Sequence, residues 1–378
     1  MKEIILKTFT EKFGSPGTAI FAPGRANIIG EHTDYNEGFV LPFAIGQGVW
    51  FYAKSNEKSH FNILAYDTNE EAVLTQDNSA LKYGWEKYFR QVLTALSGYN
   101  ITGADIVFGG NLSIGAGISS SSAITCGFVA LLNQLNDLHL NADELVNKSV
   151  EAERGYGVRG GIMDQYSIFN GKKDKAILID CRTNSHQYVD IEMGEHQFYL
   201  INTNVKHNLI LTDYNNRRAE CEQAVSLLNQ NYREINALRD LTISDLPKIR
   251  MMLDDLLFNR VSFAVQENRR VMQTIQALAD KNYEAIGELL YASHDGLAQM
   301  YQVSCEELDW LVNYTFDDEQ FLGARMMGGG FGGCTINLTT GILDHNTVSD
   351  IEKKYKDRFG IKPDIIRVHC EDGILNKV

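Results

Sequence analysis

The sequence predicts an α+β protein made of two mixed α/β parts. Its first half alternates β-prone and helical stretches. Its second half is a long helical run followed by a glycine-rich loop, a strand, a helix and a strand. A chain of 378 residues corresponds to one very large domain or two ordinary ones. We expect domains of residues 1–200 and 201–378, and because no proline- or glycine-rich linker separates them, they should pack closely.

The composition is typical of a soluble globular protein, with 44% hydrophobic and 22% charged residues. A formal net charge of -14 repels nucleic acids and anionic membranes, so we expect neither as a partner. The six cysteines are scattered without a CxxC pair, which indicates reduced thiols in a cytoplasmic protein and disfavours a zinc site. The N-terminus lacks an apolar signal region, and no long uncharged apolar run follows it.

Apolar spacing predicts the elements of the first half. Trp85, Tyr88, Val92 and Leu96 follow helical spacing and indicate a buried helix face, although the aromatic pair could also form one wall of a nucleobase pocket. The helix that starts near residue 141 has a glutamate in the position of a capping-box partner. The predicted helices cover residues 4–13, 85–96, 124–135 and 141–155, and the predicted strands cover residues 18–21, 40–52, 61–66, 104–112, 176–180 and 198–202.

The second half is predicted to be mostly helical from residue 212 to about residue 298. A glycine-rich loop over residues 325–335 follows, and then a strand over residues 336–338. A helix over residues 349–359 and a strand over residues 365–369 complete the chain.

Residues 115–123, GAGISSSSA, lie between a predicted strand and an apolar helix. Glycines let the backbone approach a ligand closely. The start of the helix offers free N–H groups and a partial positive charge. This combination predicts a phosphate-binding loop, with a serine-rich turn and a capped helix as the alternative.

The commoner phosphate loops are absent from the sequence. It contains no GxxxxGKS/T motif, no GxSxG elbow and no HRD-type kinase set. Gly328, Gly330 and Gly333 formally match a dinucleotide fingerprint. A β-prone stretch follows them, however, where a dinucleotide fold requires a helix.

Phosphoryl transfer needs a phosphate grip, a divalent cation, a cation over the developing charge and a proton acceptor. The serines of residues 119–122 offer a hydroxyl for a metal, and Glu153 offers a carboxylate. Arg25 is permanently charged, and Asp164 stands alone in a glycine-flanked loop over residues 160–165. A general base in this position contributes about 10²- to 10⁴-fold. Taken singly, Asp164 is more often a turn or cap residue, and Arg25 is more often a surface or ion-paired one.

Three segments together resemble the galactokinase family. Residues 24–35, GRANIIGEHTDY, resemble its signature segment. Residues 115–123 resemble the ATP-phosphate motif of the wider superfamily of galactokinases, homoserine kinases, mevalonate kinases and phosphomevalonate kinases. Residues 323–335 resemble the third motif of that superfamily. Weaker similarities over residues 161–165 and 293–309 keep the same order, so the resemblance covers most of the chain.

The resemblance implies an N-terminal ribosomal protein S5 domain 2-like domain, a C-terminal ferredoxin-like domain and an active site in the cleft between them. It implies an enzyme that binds ATP and a small-molecule sugar with Mg²⁺, and that phosphorylates the anomeric hydroxyl of D-galactose. Separately, we expect a monomer. The residues that it assigns are Asp164 and Arg25 for catalysis; Glu31, His32, Asp34, Gly161, Asp164 and Tyr214 for the sugar; Gly115, Ala116, Gly117, Ile118, Ser119, Ser120, Ser121, Trp85 and Tyr88 for ATP; and Ser119 and Glu153 for the metal.

Some positions depart from the family pattern. The segment between Glu153 and Asp164 is one residue shorter than in typical galactokinases, which leaves Glu151 as an alternative metal ligand. The sugar pocket could serve a related sugar, such as N-acetylgalactosamine or L-arabinose. A regulator that binds ATP and galactose without turnover is the alternative from another class, although the serine motif, Arg25 and Asp164 are all intact.

Overall fold

Three β-sheets organise the chain in a computed structural model that describes residues 1–75, 81–112, 117–157, 160–205 and 210–376. The helices are α1 (Lys2–Phe13), α2 (Glu86–Ala95), α3 (Ser120–Leu135), α4 (Ala142–Gly155), α5 (Met163–Asn170), α6 (Ile210–Asn231), α7 (Leu246–Ile249), α8 (Asp255–Ala279), α9 (Tyr283–Asp295), α10 (Glu306–Phe316) and α11 (His345–Phe359). The strands are β1 (Thr18–Asn27), β2 (Phe39–Val40), β3 (Pro42–Ser55), β4 (His60–Ala65), β5 (Glu70–Thr75), β6 (Ala104–Gly110), β7 (Lys175–Asp180), β8 (Ser185–Asp190), β9 (Gln197–Asn202), β10 (Phe321–Met327), β11 (Cys334–Thr339) and β12 (Asp364–Val368). This architecture confirms the predicted α+β class.

The first sheet has the strand order β1-β3-β6-β4-β5, and its pairs are antiparallel except for β4 beside β6. Helix α3 packs on this sheet through a buried, mostly apolar middle section, in which Phe128 and Leu131 are fully buried. The N-terminus of α3 is therefore held at a fixed place over the sheet.

Strand β1 extends beyond Phe21, where the strand predicted over residues 18–21 ends. It continues to Asn27, with a register irregularity between Pro23 and Arg25. Proline has no N–H to donate to a ladder, and a bulge accommodates this. Because pairing resumes with Arg25 opposite Ala44, Arg25 projects from a β-strand and not from a free loop.

The second sheet has the antiparallel order β10-β11-β9-β12, and a third, smaller sheet has the order β2-β7-β8. Residue 200 lies inside β9, which pairs with both β11 and β12. The domain boundary stays a prediction, and this pairing favours a position shortly before Gln197. One apolar cluster joins Ile28 and Phe43 of the first half to Leu200 and Ile336 of the second, so the two parts pack closely, as expected.

The predicted helical run corresponds to α6, α8 and α9, with α7 as a short helix between α6 and α8. A π-helical segment over Gly296–Tyr301 continues α9. Strands β5, β8 and β10 were not predicted, and the predicted loop over residues 325–335 overlaps the end of β10. Strand β8 is mostly exposed, and its sequence, SHQYVD, has little apolar character. The predicted loop over residues 160–165 is a loop only in part, since α5 begins at Met163.

Candidate active site

A cavity of about 430 Å³ lies between the two halves of the chain. Its walls combine the segment after β1, the N-terminus of α3, the first turn of α5 and the loop between β10 and β11. The predicted site residues that line it are Arg25, Glu31, His32, Asp34, Tyr88, Gly117, Ser119, Ser120, Ser121, Glu153, Gly161, Asp164 and Tyr214. The structure thus brings together residues separated by up to 189 positions in the sequence, from Arg25 to Tyr214.

The carboxylate of Asp164 lies at the centre of the cavity's hydrogen bonds. Its Oδ1 accepts from Nε of Arg25 at 2.7 Å, and its Oδ2 accepts from Oγ of Ser119 at 2.6 Å. Asp164 sits in the first turn of α5, where the partial positive charge of the helix N-terminus favours a carboxylate. Its side chain is 28% exposed, so one face stays accessible from the cavity.

Arg25 is almost completely buried, and its guanidinium is held at two points. Besides the bond from Nε to Asp164, Nη1 donates to the carbonyl of Gly117 at 2.5 Å. The backbone N–H of Arg25 also donates to the carbonyl of Ile118 at 3.3 Å. The cation is therefore fixed between the base of α3 and the carboxylate of Asp164.

The start of α3 forms the floor of the cavity. Ser119 is its N-cap residue and adopts a left-handed conformation with φ at 60°. Gly117 also has a positive φ. Its Cα packs against the end of β10, because a Cβ on Gly117 would lie 3.2 Å from the carbonyl oxygen of Met327. The hydroxyls of Ser120 and Ser121 lie on the cavity wall.

Two residues predicted for ATP do not line the cavity. Ile118 is 1% exposed and packs in the shared apolar core. Trp85 packs against Phe89 and Phe108, and its Nε1 donates to Glu70 at 2.8 Å. The adenine contact of Trp85 stays a prediction. Two further residues of that prediction, Gly115 and Ala116, lie outside the described residues.

Glu31 is anchored by the second half of the chain. Its Oε1 accepts from Nη1 and Nη2 of Arg325, both at 3.2 Å, and from the backbone N–H of Gly328 at 2.9 Å. Arg325 has no exposed surface and also donates to the carbonyls of Asn27 and Ile28. The signature segment and β10 are thus joined by a buried ion pair behind the cavity wall.

Burial changes the protonation of His32 and Asp34. Burial, helped by the charge of Arg217, lowers the pKa of His32 to about 3, so the imidazole is neutral at neutral pH. Burial, helped by the charge of Asp164, raises the pKa of Asp34 to about 6. Gly161 packs so tightly on Asp34 that a Cβ there would lie 2.2 Å from Oδ2.

Tyr214 of α6 reaches the cavity beside the signature segment. Its ring lies 5.3 Å from that of His32 and 5.4 Å from that of Tyr35, measured between centroids. The backbone of Gly329 approaches the same ring, since a Cβ there would lie 3.4 Å from Cδ2 of Tyr214. This aromatic wall closes the side of the cavity nearest the signature segment.

Glu153 lines the cavity from the last turn of α4. Its Oε1 is buried and has no hydrogen-bond partner among the described residues. Burial, and then the charge of Asp164, raise its pKa to about 7. Glu151 instead points to the surface, where it pairs with Lys148 at 3.0 Å.

Several cavity residues were missed by the sequence analysis. Lys87 lies with its Nζ 5.0 Å from the ring centroids of both Tyr88 and Tyr156, and all three line the cavity. The spacing offered no signal for Lys87.

Arg325, which lies behind the cavity wall, was missed as well, although it did have a signal. A single arginine in the apolar run FLGARMM indicates a buried charge that needs a partner.

The order of the matched family models agrees with this layout. Residues 7–55 match the galactokinase galactose-binding signature, residues 86–172 match the N-terminal domain of GHMP kinases, and residues 274–359 match their C-terminal domain. Mevalonate kinase from Methanococcus jannaschii shares the fold, with a TM-score of 0.65 at 18% identity over 95% of this chain and 100% of that one. The fold and the site therefore define a kinase of the GHMP class.

More similar relatives narrow the class. A galactokinase from Thermotoga neapolitana is 37% identical over 93% of this chain and 98% of its own, and one from Fusobacterium nucleatum is 34% identical over 99% of both. The crystal structure of Lactococcus lactis galactokinase complexed with galactose has a TM-score of 0.90 at 31% identity, covering 98% of each chain. The chain belongs to the galactokinase family, and it is a kinase.

Across the part of the chain that the structure describes, no helix has both the length and the apolar character needed to cross a membrane.

Proposed function

We propose that the protein transfers the γ-phosphoryl group of ATP to the anomeric C1 hydroxyl of D-galactose, giving galactose 1-phosphate and ADP. The observation that carries this proposal is the hydrogen-bonded cluster of Asp164, Arg25 and Ser119. This cluster joins the sugar signature to the start of α3 within one cavity. The galactose-binding signature over residues 7–55, and the galactose bound to the related Lactococcus lactis enzyme, support galactose as the acceptor.

Asp164 acts in this proposal as the general base. Its carboxylate accepts the proton of the C1 hydroxyl as the hydroxyl oxygen forms a bond to the γ-phosphorus. The bond from that phosphorus to the β,γ-bridging oxygen breaks, and ADP leaves with the electron pair. A positioned base contributes about 10²- to 10⁴-fold, and the rest of the catalysis comes from positioning and charge stabilisation.

Arg25 orients this base and adds positive charge. Because Nε holds Oδ1 of Asp164 and Nη1 holds the carbonyl of Gly117, the guanidinium cannot rotate away from the cavity. An arginine stays protonated at every working pH. Its charge therefore remains available to the phosphoryl group as negative charge develops during transfer.

The signature side chains select the sugar through hydrogen bonds. Glu31 and Asp34 offer carboxyl oxygens, and His32 and Tyr214 offer an imidazole and a phenol. A site built from such fixed polar groups rejects an epimer, because a misplaced hydroxyl leaves buried groups unpaired. Arg325 keeps Glu31 in place, and the tight approach of Gly161 keeps Asp34 in place.

The nucleotide is proposed to lie along the start of α3. The backbone at Gly117 and the hydroxyls of Ser119, Ser120 and Ser121 face the cavity there, next to a helix N-terminus that favours phosphate. Lys87 adds a cation on the same wall. Its charge offsets part of the repulsion expected from an acidic protein.

A kinase that uses ATP as substrate in general works with a divalent metal ion, and we propose Mg²⁺ held by Ser119 and Glu153. The fit is supported by Oε1 of Glu153, which is buried without a hydrogen-bond partner among the described residues. No group of three or more metal-binding side chains occurs in the described ranges. Mg²⁺ does not require one, because this ion commonly binds one or two carboxylates and completes its coordination shell with phosphates and water. When bound, such an ion neutralises charge on the β- and γ-phosphates. The exposed ion pair of Glu151 makes that residue the weaker alternative.

The test is an ADP-release assay with purified wild-type protein and the variant Asp164→Asn over a panel of sugars. Galactose should give the highest kcat/KM, and Asp164→Asn should lower kcat for galactose about 10²- to 10⁴-fold while leaving ADP binding within about threefold. The matched control is Asp180→Asn, which breaks an aspartate–arginine pair with Arg239 outside the cavity and should keep normal turnover.

Three results would count against the proposal. A higher kcat/KM for N-acetylgalactosamine or L-arabinose would identify a kinase for that sugar. Binding of ATP and galactose without ADP release would identify a regulator. Near-normal turnover by Asp164→Asn would remove Asp164 from the role of base.

We further propose that the protein works as a monomer in the cytoplasm. All six cysteines are free, as is usual in a reducing compartment. The net charge of -14 opposes self-association through like-charge repulsion. Light scattering of the purified protein at physiological salt should give a mass near 42.5 kDa, the mass of one chain.

A further inference from the structure

A row of hydrogen-bonded side chains runs from the cavity into the interior of the second half. Nδ1 of His32 lies 2.7 Å from the hydroxyl of Tyr35, which lies 2.9 Å from the hydroxyl of Tyr301. The Tyr301 hydroxyl in turn lies 3.1 Å from Sγ of Cys221. His32, Tyr301 and Cys221 are each at most 3% exposed, and Tyr35 is partly buried, so most of the row is shielded from water.

Three separate segments supply this row. His32 and Tyr35 belong to the segment after β1, Tyr301 ends the π-helical segment, and Cys221 lies in α6. A π-helix is uncommon and often marks a functional position. His32 is itself held in a left-handed conformation with φ at 60°, which is unusual for a residue with a side chain.

The other ring nitrogen of His32 has no hydrogen-bond partner in good geometry among the described residues, although the backbone of Gly329 lies close enough to oppose part of the lowering of the His32 pKa. Nε2 is buried and lacks a hydrogen bond among the described residues, while His32 lines the cavity. Burial lowers the pKa of His32 to about 3, so the ring is neutral and carries a single N–H. In a neutral imidazole, the partner of one nitrogen decides whether the other is a donor or an acceptor.

The acid and acceptor strengths of these groups decide which of them donates in each hydrogen bond. A phenol is a stronger acid than a neutral imidazole N–H, and an imidazole nitrogen is a stronger acceptor than a phenol oxygen. The better arrangement has Tyr35 donating to Nδ1 of His32 and Tyr301 donating to Tyr35. The thiol of Cys221 is then left to donate weakly to Tyr301. The opposite direction would place a phenol proton on sulfur, which is a weak acceptor.

We propose that Tyr35 and Tyr301 are positioning residues that keep the proton of His32 on Nε2, so that this nitrogen donates a hydrogen bond into the cavity. This inference rests on the proposed function in one respect, namely that the acceptor is a hydroxyl oxygen of the sugar. The location of the proton does not depend on that function. The two tyrosines therefore act on the sugar only through His32.

The direct test is nuclear magnetic resonance of the full-length protein labelled with ¹⁵N-histidine. Two-bond ¹H–¹⁵N correlations distinguish a protonated from an unprotonated ring nitrogen, and the resonances that disappear in His32→Asn belong to His32. Wild-type His32 should carry its proton on Nε2. Tyr35→Phe and Tyr301→Phe should shift the ring toward a mixture of the two tautomers.

Steady-state kinetics provide the second readout. Loss of one neutral hydrogen bond should raise the KM for galactose about three- to tenfold in Tyr35→Phe, and less in Tyr301→Phe. The KM for ATP and kcat should change less than about twofold. The control is Tyr355→Phe, a buried tyrosine that donates to the carbonyl of Thr203 at 3.0 Å away from the row, and it should change neither the spectrum nor the KM for galactose.

A wild-type spectrum with the proton on Nδ1 would overturn the inference, and this measurement needs no variant. Tyrosine variants with an unchanged His32 spectrum and an unchanged KM for galactose would overturn it as well. A protein that does not phosphorylate galactose would refute the proposed function while leaving the tautomer result intact.

Discussion

Replacing His32 by asparagine should change how the stability of the protein depends on pH. Asparagine tolerates the left-handed conformation that His32 adopts, with φ at 60°, so the substitution removes a titrating ring with little backbone strain. In the folded protein the pKa of His32 is lowered to about 3, chiefly by burial, from its usual value of 6.5. Between these two values the unfolded chain binds a proton that the folded chain does not bind.

The size of the effect follows from this difference. Because the unfolded state binds more protons, stability is lost as the pH falls below 6.5. At pH 5 the folded ring is still neutral, so the loss depends only on the 1.5 pH units below the unfolded pKa. At about 1.4 kcal/mol per pH unit, the titration of His32 should lower the free energy of unfolding of the wild type by about 2 kcal/mol between pH 7 and pH 5.

Other groups in the cavity titrate with the opposite sign. Burial raises the pKa of Asp34 to about 6 and that of Glu153 to about 7. Their stabilising contribution is present at low pH and is lost as the pH rises through those values. Because both groups are present in the wild type and in the variant, they cancel when the two proteins are compared.

The assay is urea unfolding of wild type and His32→Asn at pH 7 and pH 5. Between pH 7 and pH 5 the wild type should lose about 2 kcal/mol more of its free energy of unfolding than His32→Asn loses. The control is His345→Asn, which replaces an exposed histidine on α11 and should follow the wild type at both pH values. Parallel behaviour of wild type and His32→Asn would refute a buried, neutral His32.

Two further substitutions test how the site is held in place. Gly161→Ala places a Cβ 2.2 Å from the Asp34 carboxylate. It should raise the KM for galactose about tenfold and leave ADP binding, measured by calorimetry, unchanged. The control Gly84→Ala adds a Cβ in open space and should leave both values normal. Arg325→Met leaves the buried carboxylate of Glu31 without its cation. It should lower the free energy of unfolding in urea by about 3 to 5 kcal/mol, whereas Arg358→Met breaks an exposed ion pair and should cost less than about 1 kcal/mol. A loss below about 1 kcal/mol for Arg325→Met would contradict the anchoring role.

The features that sequence could predict are those fixed by nearby residues. The capping box of α4 depends on Asn141 and Glu144, three positions apart, and the structure contains both of its hydrogen bonds. The start of α3 could be anticipated in the same way, because the serines and the apolar helix that follows them are contiguous. Such patterns need no knowledge of the rest of the fold.

The features that escaped prediction depend on distant partners. Strand β1 continues past Pro23 only because β3 lies beside it and accommodates the bulge. Arg325 finds its partner 294 positions away in Glu31, and no local spacing reveals that distance. The row from His32 to Cys221 likewise exists only once α6 and the π-helical segment meet the signature segment.

The acidic side chains of the cavity show how an acidic protein can bind an anionic nucleotide. Two of them pair with an arginine: Asp164 with Arg25, and Glu31 with Arg325. The other two, Asp34 and Glu153, have no arginine partner in the part of the chain that the structure describes. Burial raises their pKa to about 6 and about 7, so at pH 7 Glu153 is about half protonated while Asp34 is mostly ionised. The free cavity therefore carries less negative charge than its four carboxyl groups suggest, chiefly because two of them are paired with arginines. Glu153, which has the higher of these two pKa values, is also the one whose unpaired oxygen best suits a cation, because a nearby positive charge favours its ionised form.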